Sequence, residues 1–289
     1  MAKGAAKTGG GPTIIVAIEQ FLPDEQIILK DSYARITVPY GMRSFVSLMR
    51  FRCVRDWMIR RSEYDMPGIW AGILLRKKYI DEKLITSLSE IKSIVNLGAG
   101  SDTRAFRLPQ LEGKPFFELD QPNNIKAKQS QIEKSKIKHP DNLRLVAIDF
   151  DKENISEALQ RAGYLSDMPT FFIWEGVSQY LTYDGILSTF KYLSNAPGGS
   201  KLAFTYVRRD FIEGSNRHGN EKVYDKFVVK DKIWLFGMNP EEWPMLLTKH
   251  GWKLVDDISA DQIYEKYIKS TKRTLMTSPI ERIAFAEKI

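Results

Sequence analysis

The spacing of apolar residues changes near residue 92. Upstream it is helical: across 43–61, Val46, Met49, Cys53 and Trp57 recur at steps of three and four, which places them on one helix face. Downstream, short apolar runs alternate with longer polar stretches of helical character. The runs are Ser93–Leu97, Pro115–Leu119, Leu143–Ile148, Thr170–Trp174 and Lys201–Tyr206. Strands alternating with helices in this way predict an α/β fold with a doubly wound, mainly parallel sheet covered on both faces. Residues 14–91 then form an N-terminal helical cap, and 92–289 the α/β domain. Within 208–239, Phe211, Tyr224, Phe227, Trp234 and Phe236 stand among many charges. That stretch is long for a plain connection and is expected to be a lid insertion. Pro240 suits the first turn of a helix running to about His250, and Arg282–Ala286 supplies a last strand.

Composition narrows the function classes. A chain of 289 residues, 43% hydrophobic, buries a sizeable core and suits one large domain with additions. Met1–Thr13 is rich in Gly and Lys and lacks the apolar run of a secretory signal, so residues 1–13 are expected to be a disordered tail. No stretch of 18 apolar residues occurs, so no membrane partner is expected and a cytoplasmic location is. Cys53 is the only cysteine, which excludes an internal disulfide and a multi-cysteine zinc site; His139, His218 and His250 lack ligand spacing, so no metal is expected. The net charge of +7 is spread over 43 basic and 36 acidic residues. Two basic faces, six arginines in 43–61 and five lysines in 126–138, are read as solvated surfaces, and nucleic acid is not the expected partner.

The chemistry concentrates after the first strand. Asn96-Leu97-Gly98-Ala99-Gly100-Ser101-Asp102 runs from a strand through a Gly-rich turn toward a helix, where glycines let a ligand approach the backbone. Twenty residues beyond Gly100, at the end of the second strand, stands Asp120, placed to accept from both ribose hydroxyls of a nucleoside cofactor. A dinucleotide fingerprint has a third glycine where this chain has Thr103, which argues against NAD. S-adenosyl-L-methionine has no phosphate to cradle, so two glycines and a carboxylate suffice. The competing reading is a βα turn that keeps glycines for backbone reasons alone.

Ile94–Arg104, reading Ile-Val-Asn-Leu-Gly-Ala-Gly-Ser-Asp-Thr-Arg, resembles the glycine motif of the leucine carboxyl methyltransferase family, which includes bacterial polyketide-type O-methyltransferases. Further matches are Phe117–Pro122, Ala147–Phe150, Trp174–Leu181, and Pro67–Leu84 with Arg76 and Asp81, in the right order along the chain. The resemblance implies a Rossmann-like methyltransferase fold, S-adenosyl-L-methionine as cofactor, and cofactor contacts by Arg76, Gly98, Asp120, Asp149, Phe150 and Glu175, beside Gly100 of the turn. Each has its own physical reading. Asp149 and Phe150 end the third strand, where a carboxylate suits the adenine amino group and a ring offers an apolar wall, although a helix N-cap explains Asp149 equally. Glu175 suits the methionyl ammonium and Arg76 its carboxylate, although Arg76 in Arg76-Lys77-Lys78 also fits an exposed helix charge. Lys30 and Arg104 stay outside the expected site, Arg104 because pairing with a carboxylate such as Asp102 accounts for it.

The expected reaction is methyl transfer to a hydroxyl or carboxylate of a small-molecule acceptor, for instance a secondary metabolite. The alternatives are a protein carboxyl group or a nucleic acid. Against the latter, Trp174-Glu175-Gly176-Val177 stands where amino-methylating enzymes carry an Asn or Asp-Pro-Pro-aromatic motif. Tyr180 and Tyr206 are the candidates to line an acceptor pocket under the 208–239 lid, with ordinary core aromatics as the other reading. No general base is assigned, and the oligomeric state is left open.

Overall fold

The computed structural model describes residues 10–150 and 152–289. Seven strands form one sheet: β1 Ser93–Leu97, β2 Phe116–Asp120, β3 Leu143–Ala147, β4 Thr170–Trp174, β5 Lys201–Val207, β6 Trp252–Ser259 and β7 Glu281–Lys288. Their order is β3-β2-β1-β4-β5-β7-β6, and β1 to β5 run parallel while β7 lies antiparallel to both β5 and β6. The order reverses between β1 and β4, and an open α/β sheet offers its ligand crevice where the order reverses, at the C-terminal strand ends.

The helices are α1 Gly10–Glu19, α2 Arg43–Leu48, α3 Arg52–Asp65, α4 Ile69–Thr86, α5 Pro122–Ser135, α6 Ile155–Arg161, α7 Tyr183–Leu193, α8 Trp243–Lys249 and α9 Ala260–Tyr267. Every residue of β1, β2, β4 and β5 is buried, because helices cover both faces. Ile94, Phe116, Phe171 and Ile173 pack into one core with α1, α4 and α9. The alternate residues Val95, Phe117, Phe172 and Trp174 pack into a second core with α6, α7 and α8. The helices upstream of β1 therefore share a continuous core with the sheet.

The structure departs from the sequence reading at three places. The 43–61 stretch is two helices, α2 and α3; Val46 and Met49 are buried, whereas Cys53 and Trp57 face outward, Trp57 at 57% exposure. Arg55 turns inward instead, its Nη1 donating to the carbonyls of Phe21 (2.9 Å) and Met49 (3.3 Å), and satisfying those buried acceptors fixes the inner face of α3. Of the expected tail, residues 1–9 lie outside the described residues, while Gly10–Thr13 open α1 and Thr13 is buried. Strand β6 went unpredicted: it is an edge strand carrying Lys253, Asp256 and Asp257, and a bulge at Leu254/Asp256 breaks its alternation.

The 208–239 insertion is folded on itself. Helical turns Arg209–Ile212 and Glu221–Tyr224 and a π-helical turn Asp225–Lys230 surround Phe211, Val223, Phe227 and Ile233, which pack with Val207 and Ile280. Trp234 stacks on Phe227 with ring centroids 5.0 Å apart.

Candidate cofactor and active site

A cleft of about 100 Å³, open to solvent, lies at the C-terminal ends of β1 and β4. Gly98, Ala99, Gly100 and Ser101 form its floor, Arg76, Lys77, Glu175 and Gly176 one wall, and Pro12, Thr13, Val16 and Asp31 of the N-terminal region the roof. The turn after β1 requires glycine at its first position: Gly98 has φ +76°, and a Cβ there would lie 2.6 Å from Val177 Cγ2. Opposite, Gly176 at φ +69° lets the Arg76 guanidinium pass, since a Cβ would meet Nη2 at 3.1 Å. Close approach of the β1 and β4 loops is thus encoded by two glycines.

Asp120 sits beneath the glycine turn. Its carboxylate accepts from the backbone N–H of Gly100 (2.5 Å), from the N–H of Gln121 (2.7 Å) and from Asn124 Nδ2 (2.7 Å), so its orientation at the end of β2 is fixed. Ile148 N–H donates to the Asp120 carbonyl (2.9 Å), which brings Asp149 and Phe150 at the end of β3 next to it. Asp149 and Phe150 are not part of the cleft lining; Asp149 pairs with Lys152 Nζ at 3.2 Å, and its backbone N–H donates to Glu153 Oε1.

An ionic network buttresses the opposite end. Glu175 accepts from Arg76 Nε (3.0 Å) and Arg104 Nη2 (2.8 Å) and pairs with Lys77 Nζ at 3.1 Å. Arg76 Nη1 also donates to both oxygens of Glu281 (2.8 and 2.9 Å) at the start of β7. Arg104, fully buried, bridges Glu175, Asp81 (2.7 Å) and Asp102. Although burial opposes ionisation, Lys77, Arg104 and Arg76 hold Glu175 well below the usual carboxylate range, and Arg104 with Lys77 brings Asp102 down to about 2. Asp31 behaves oppositely: burial raises it, outweighing Arg107 and the Thr103 hydroxyl that donates to its Oδ2 (2.5 Å). Thr103, which stands where a dinucleotide site has glycine, therefore ties the N-terminal roof to the glycine turn.

Of the residues expected from sequence, Arg76, Gly98, Gly100 and Glu175 meet in this cleft, and Asp120 adjoins it. Tyr180 lies at the lid side, packed against the Phe211–Phe227 cluster. Tyr206 is placed elsewhere: it is fully buried with Phe204 and Trp243 in the second core, its hydroxyl donating to Asp257 Oδ2 (2.6 Å), because its place in the β5 alternation turns it to that face. Sequence reasoning missed Asp31, Lys77, Asp102 and the α1 residues of the roof. Lys77 had a signal in its adjacency to Arg76, and α1 had one in the apolar run Ile14–Ile18; Asp31 had none beyond its place in the early segment. Lys30, left out of the site, is exposed and pairs with Asp24.

The sequence profile described as Leucine carboxyl methyltransferase matches residues 11–194, a span that contains the whole cleft lining. This chain belongs to that family. Relatives aligned with it are named as S-adenosyl-L-methionine-dependent methyltransferases. A Mycobacteroides abscessus protein named as such a methyltransferase is 30% identical over 203 residues, covering 67% of this chain and 66% of the relative. A Streptomyces coelicolor protein named likewise is 33% identical over 187 residues, 63% of this chain and 62% of its own length. The chain thus spans slightly under two thirds of those relatives, whereas a Mycobacterium bovis protein of the same description aligns over 275 residues, 87% of its length, at 28% identity. Among solved structures, a methyltransferase from Thermobifida fusca superposes with TM-score 0.56 at 13% identity, covering 82% of this chain and 89% of that one; this likeness concerns the fold. Among the described residues no helix is long and apolar enough to cross a membrane, and no cluster of His, Cys, Asp and Glu could hold a metal ion.

The residues present are compatible with such a cofactor: Glu175 with Arg76 and Lys77 sets an acid beside two bases, as a zwitterionic amino-acid end would need, and Asp120 is a fixed carboxylate under the glycine turn, as a ribose would need.

Proposed function

We propose that this family member transfers the methyl group of S-adenosyl-L-methionine to an oxygen, hydroxyl or carboxylate, of a small molecule. The observation that carries the reading is the attachment of the lid to the loop that follows Glu175 and Gly176. The lid segment is pinned to the loop after β4, Leu235 N–H donating to the Gln179 carbonyl (2.7 Å), and Tyr180 packs into the lid cluster. A lid held to this loop suits a small acceptor better than a polymer.

Bound S-adenosyl-L-methionine supplies a methyl already activated on a sulfonium. The chain's own residues then have three tasks. Asp120 would accept from the ribose hydroxyls, Gly98 and Gly100 would allow backbone approach, and Asp149 with Phe150, beside Asp120 and outside the cleft lining, would stand toward the adenine. Glu175 would receive the ammonium, and Arg76 and Lys77 the carboxylate of the amino-acid end. Tyr180 and the lid orient the acceptor and exclude water. A carboxylate acceptor, which the family's description favours, needs no general base, whereas a hydroxyl acceptor does.

Radiolabelled methyl transfer to a panel of small carboxylic acids and phenols tests the proposal. Alkali then releases methanol from an ester and leaves an ether intact, which separates the two acceptor types. Transfer confined to protein C-termini or to RNA contradicts the small-molecule reading.

A further inference from the structure

Of the four residues that the spacing of 43–61 placed on one helix face, Val46 and Met49 are buried, while Cys53 and Trp57 lie on the outside. Along α3 the exposed face runs Cys53, Trp57, Arg60, Tyr64, steps of four, three and four. Tyr40 (76% exposed), Leu48 and Phe51 lead into it on the preceding segment. A run of large apolar side chains this dense on one exposed segment marks an interaction surface.

Its charge narrows the partner. Residues 40–65 hold six arginines against Asp56, Glu63 and Asp65, and Glu63 is turned inward, accepting from the N–H groups of Gly68 and Trp70. Arg50, Arg52, Arg60 and Arg61 are all exposed. Two copies of this face would oppose like charges, which disfavours self-association through it. Two of these rings carry a cation on one face: Arg50 lies over Phe51 at 4.7 Å, and Lys222 over Tyr64 at 3.4 Å. Rings half covered in this way are a poorer platform for stacking nucleobases, whereas aromatic side chains set among cations suit insertion at headgroup depth with the cations at the phosphates. Lys222 also pairs with Asp65 at 3.2 Å, which joins this face to the lid.

We propose that the outward face of residues 40–64 docks the protein peripherally on an anionic phospholipid surface, without spanning it. Such docking is independent of a membrane-crossing helix and sets the lid against the lipid phase.

The test is flotation of the full chain with vesicles of phosphatidylcholine alone and with added phosphatidylglycerol, at low and physiological salt. Binding is expected only to the anionic vesicles, weakened by salt, and at least tenfold weaker in Trp57→Ser/Phe51→Ser and in Arg50→Glu/Arg60→Glu. A conservative Trp57→Phe variant keeps vesicle binding but loses most of the blue shift of tryptophan emission, since Trp70, Trp174, Trp243 and Trp252 are buried and Trp234 is half-buried against Phe227 in the lid. S-adenosyl-L-methionine affinity in each variant reports an intact fold. Absence of vesicle binding by the parent overturns the proposal, as does unchanged binding in both double variants. Salt-sensitive binding to RNA without vesicle binding assigns the face to nucleic acid, and a dimer abolished by Trp57→Ser assigns it to a second copy; either outcome overturns it too.

Discussion

Asp120 is held by Gly100, Gln121 and Asn124, so the carboxylate that the proposed ribose contact would use is already oriented. Asp120→Ala is expected to weaken S-adenosyl-L-methionine by on the order of 2 kcal/mol, about thirtyfold, measured by titration calorimetry; unchanged affinity contradicts the ribose role. Arg76→Ala and Glu175→Ala separate the other end: both are expected to weaken S-adenosyl-L-methionine and leave adenosine nearly unaffected, and equal losses for the two ligands would point to damage of the fold. Asp120 was legible in the sequence because its distance from Gly100 spans one βα unit. Arg104 was legible only as a partner of Asp102, since its other carboxylates, Asp81 and Glu175, come from distant elements. Tyr206 was misplaced because position at a strand end fixes nearness to the crevice but not the face on which the side chain lies.

Between elements, Arg104 joins α4, the glycine turn and β4 through Asp81, Asp102 and Glu175. Removing it leaves those carboxylates buried with less compensation, and Arg104→Met is expected to cost about 3–5 kcal/mol at pH 7 in urea unfolding. The pH dependence carries the sign. With Arg104 present, Asp102 at about 2 and Glu175 well below its usual value contribute stability at neutral pH that is lost only as pH falls below the unfolded values toward 2. Without it, both carboxyls move up toward their unfolded values, with Lys77 and Arg76 still acting on Glu175 and Lys77 on Asp102, so less of their stabilisation is present at neutral pH. The deficit of the variant is therefore expected to be full at neutral pH and to shrink only as pH falls through the unfolded carboxyl values toward 2; a deficit independent of pH contradicts this. In the lid, Phe227→Ala removes a ring from a small separate cluster and is expected to open residues 208–239 locally. Hydrogen exchange should then rise there and methyl transfer fall at least tenfold, with cofactor affinity unchanged. Full turnover with an opened lid contradicts its acceptor role. The parallel strands were legible because burial on both faces writes them as unbroken apolar runs. Strand β6 and the α2–α3 break were not, since an edge strand is half polar and the inward turn of Arg55 answers carbonyls supplied by other segments.

At the scale of the whole molecule, the cleft is closed by parts far apart in sequence: α1 and Asp31 above, the glycine turn below, Glu175 and Arg76 at the side. A ligand bridging them stabilises the native state by linkage, about 2.7 kcal/mol at a hundredfold excess over Kd. Thermal unfolding is accordingly expected to shift upward with S-adenosyl-L-methionine and not with NAD. The doubly wound order was predictable from strand and helix alternation, whereas the roof was not, because nothing in a local pattern says that an N-terminal helix folds back across a turn near residue 100. Calorimetric titration of the full chain with S-adenosyl-L-methionine, S-adenosyl-L-homocysteine and NAD tests the central claim most directly. One site per chain for the first two, none for NAD, and loss of affinity in Asp120→Ala is the predicted result; binding of NAD as tight as that of S-adenosyl-L-methionine, or no binding of either nucleoside, would contradict it.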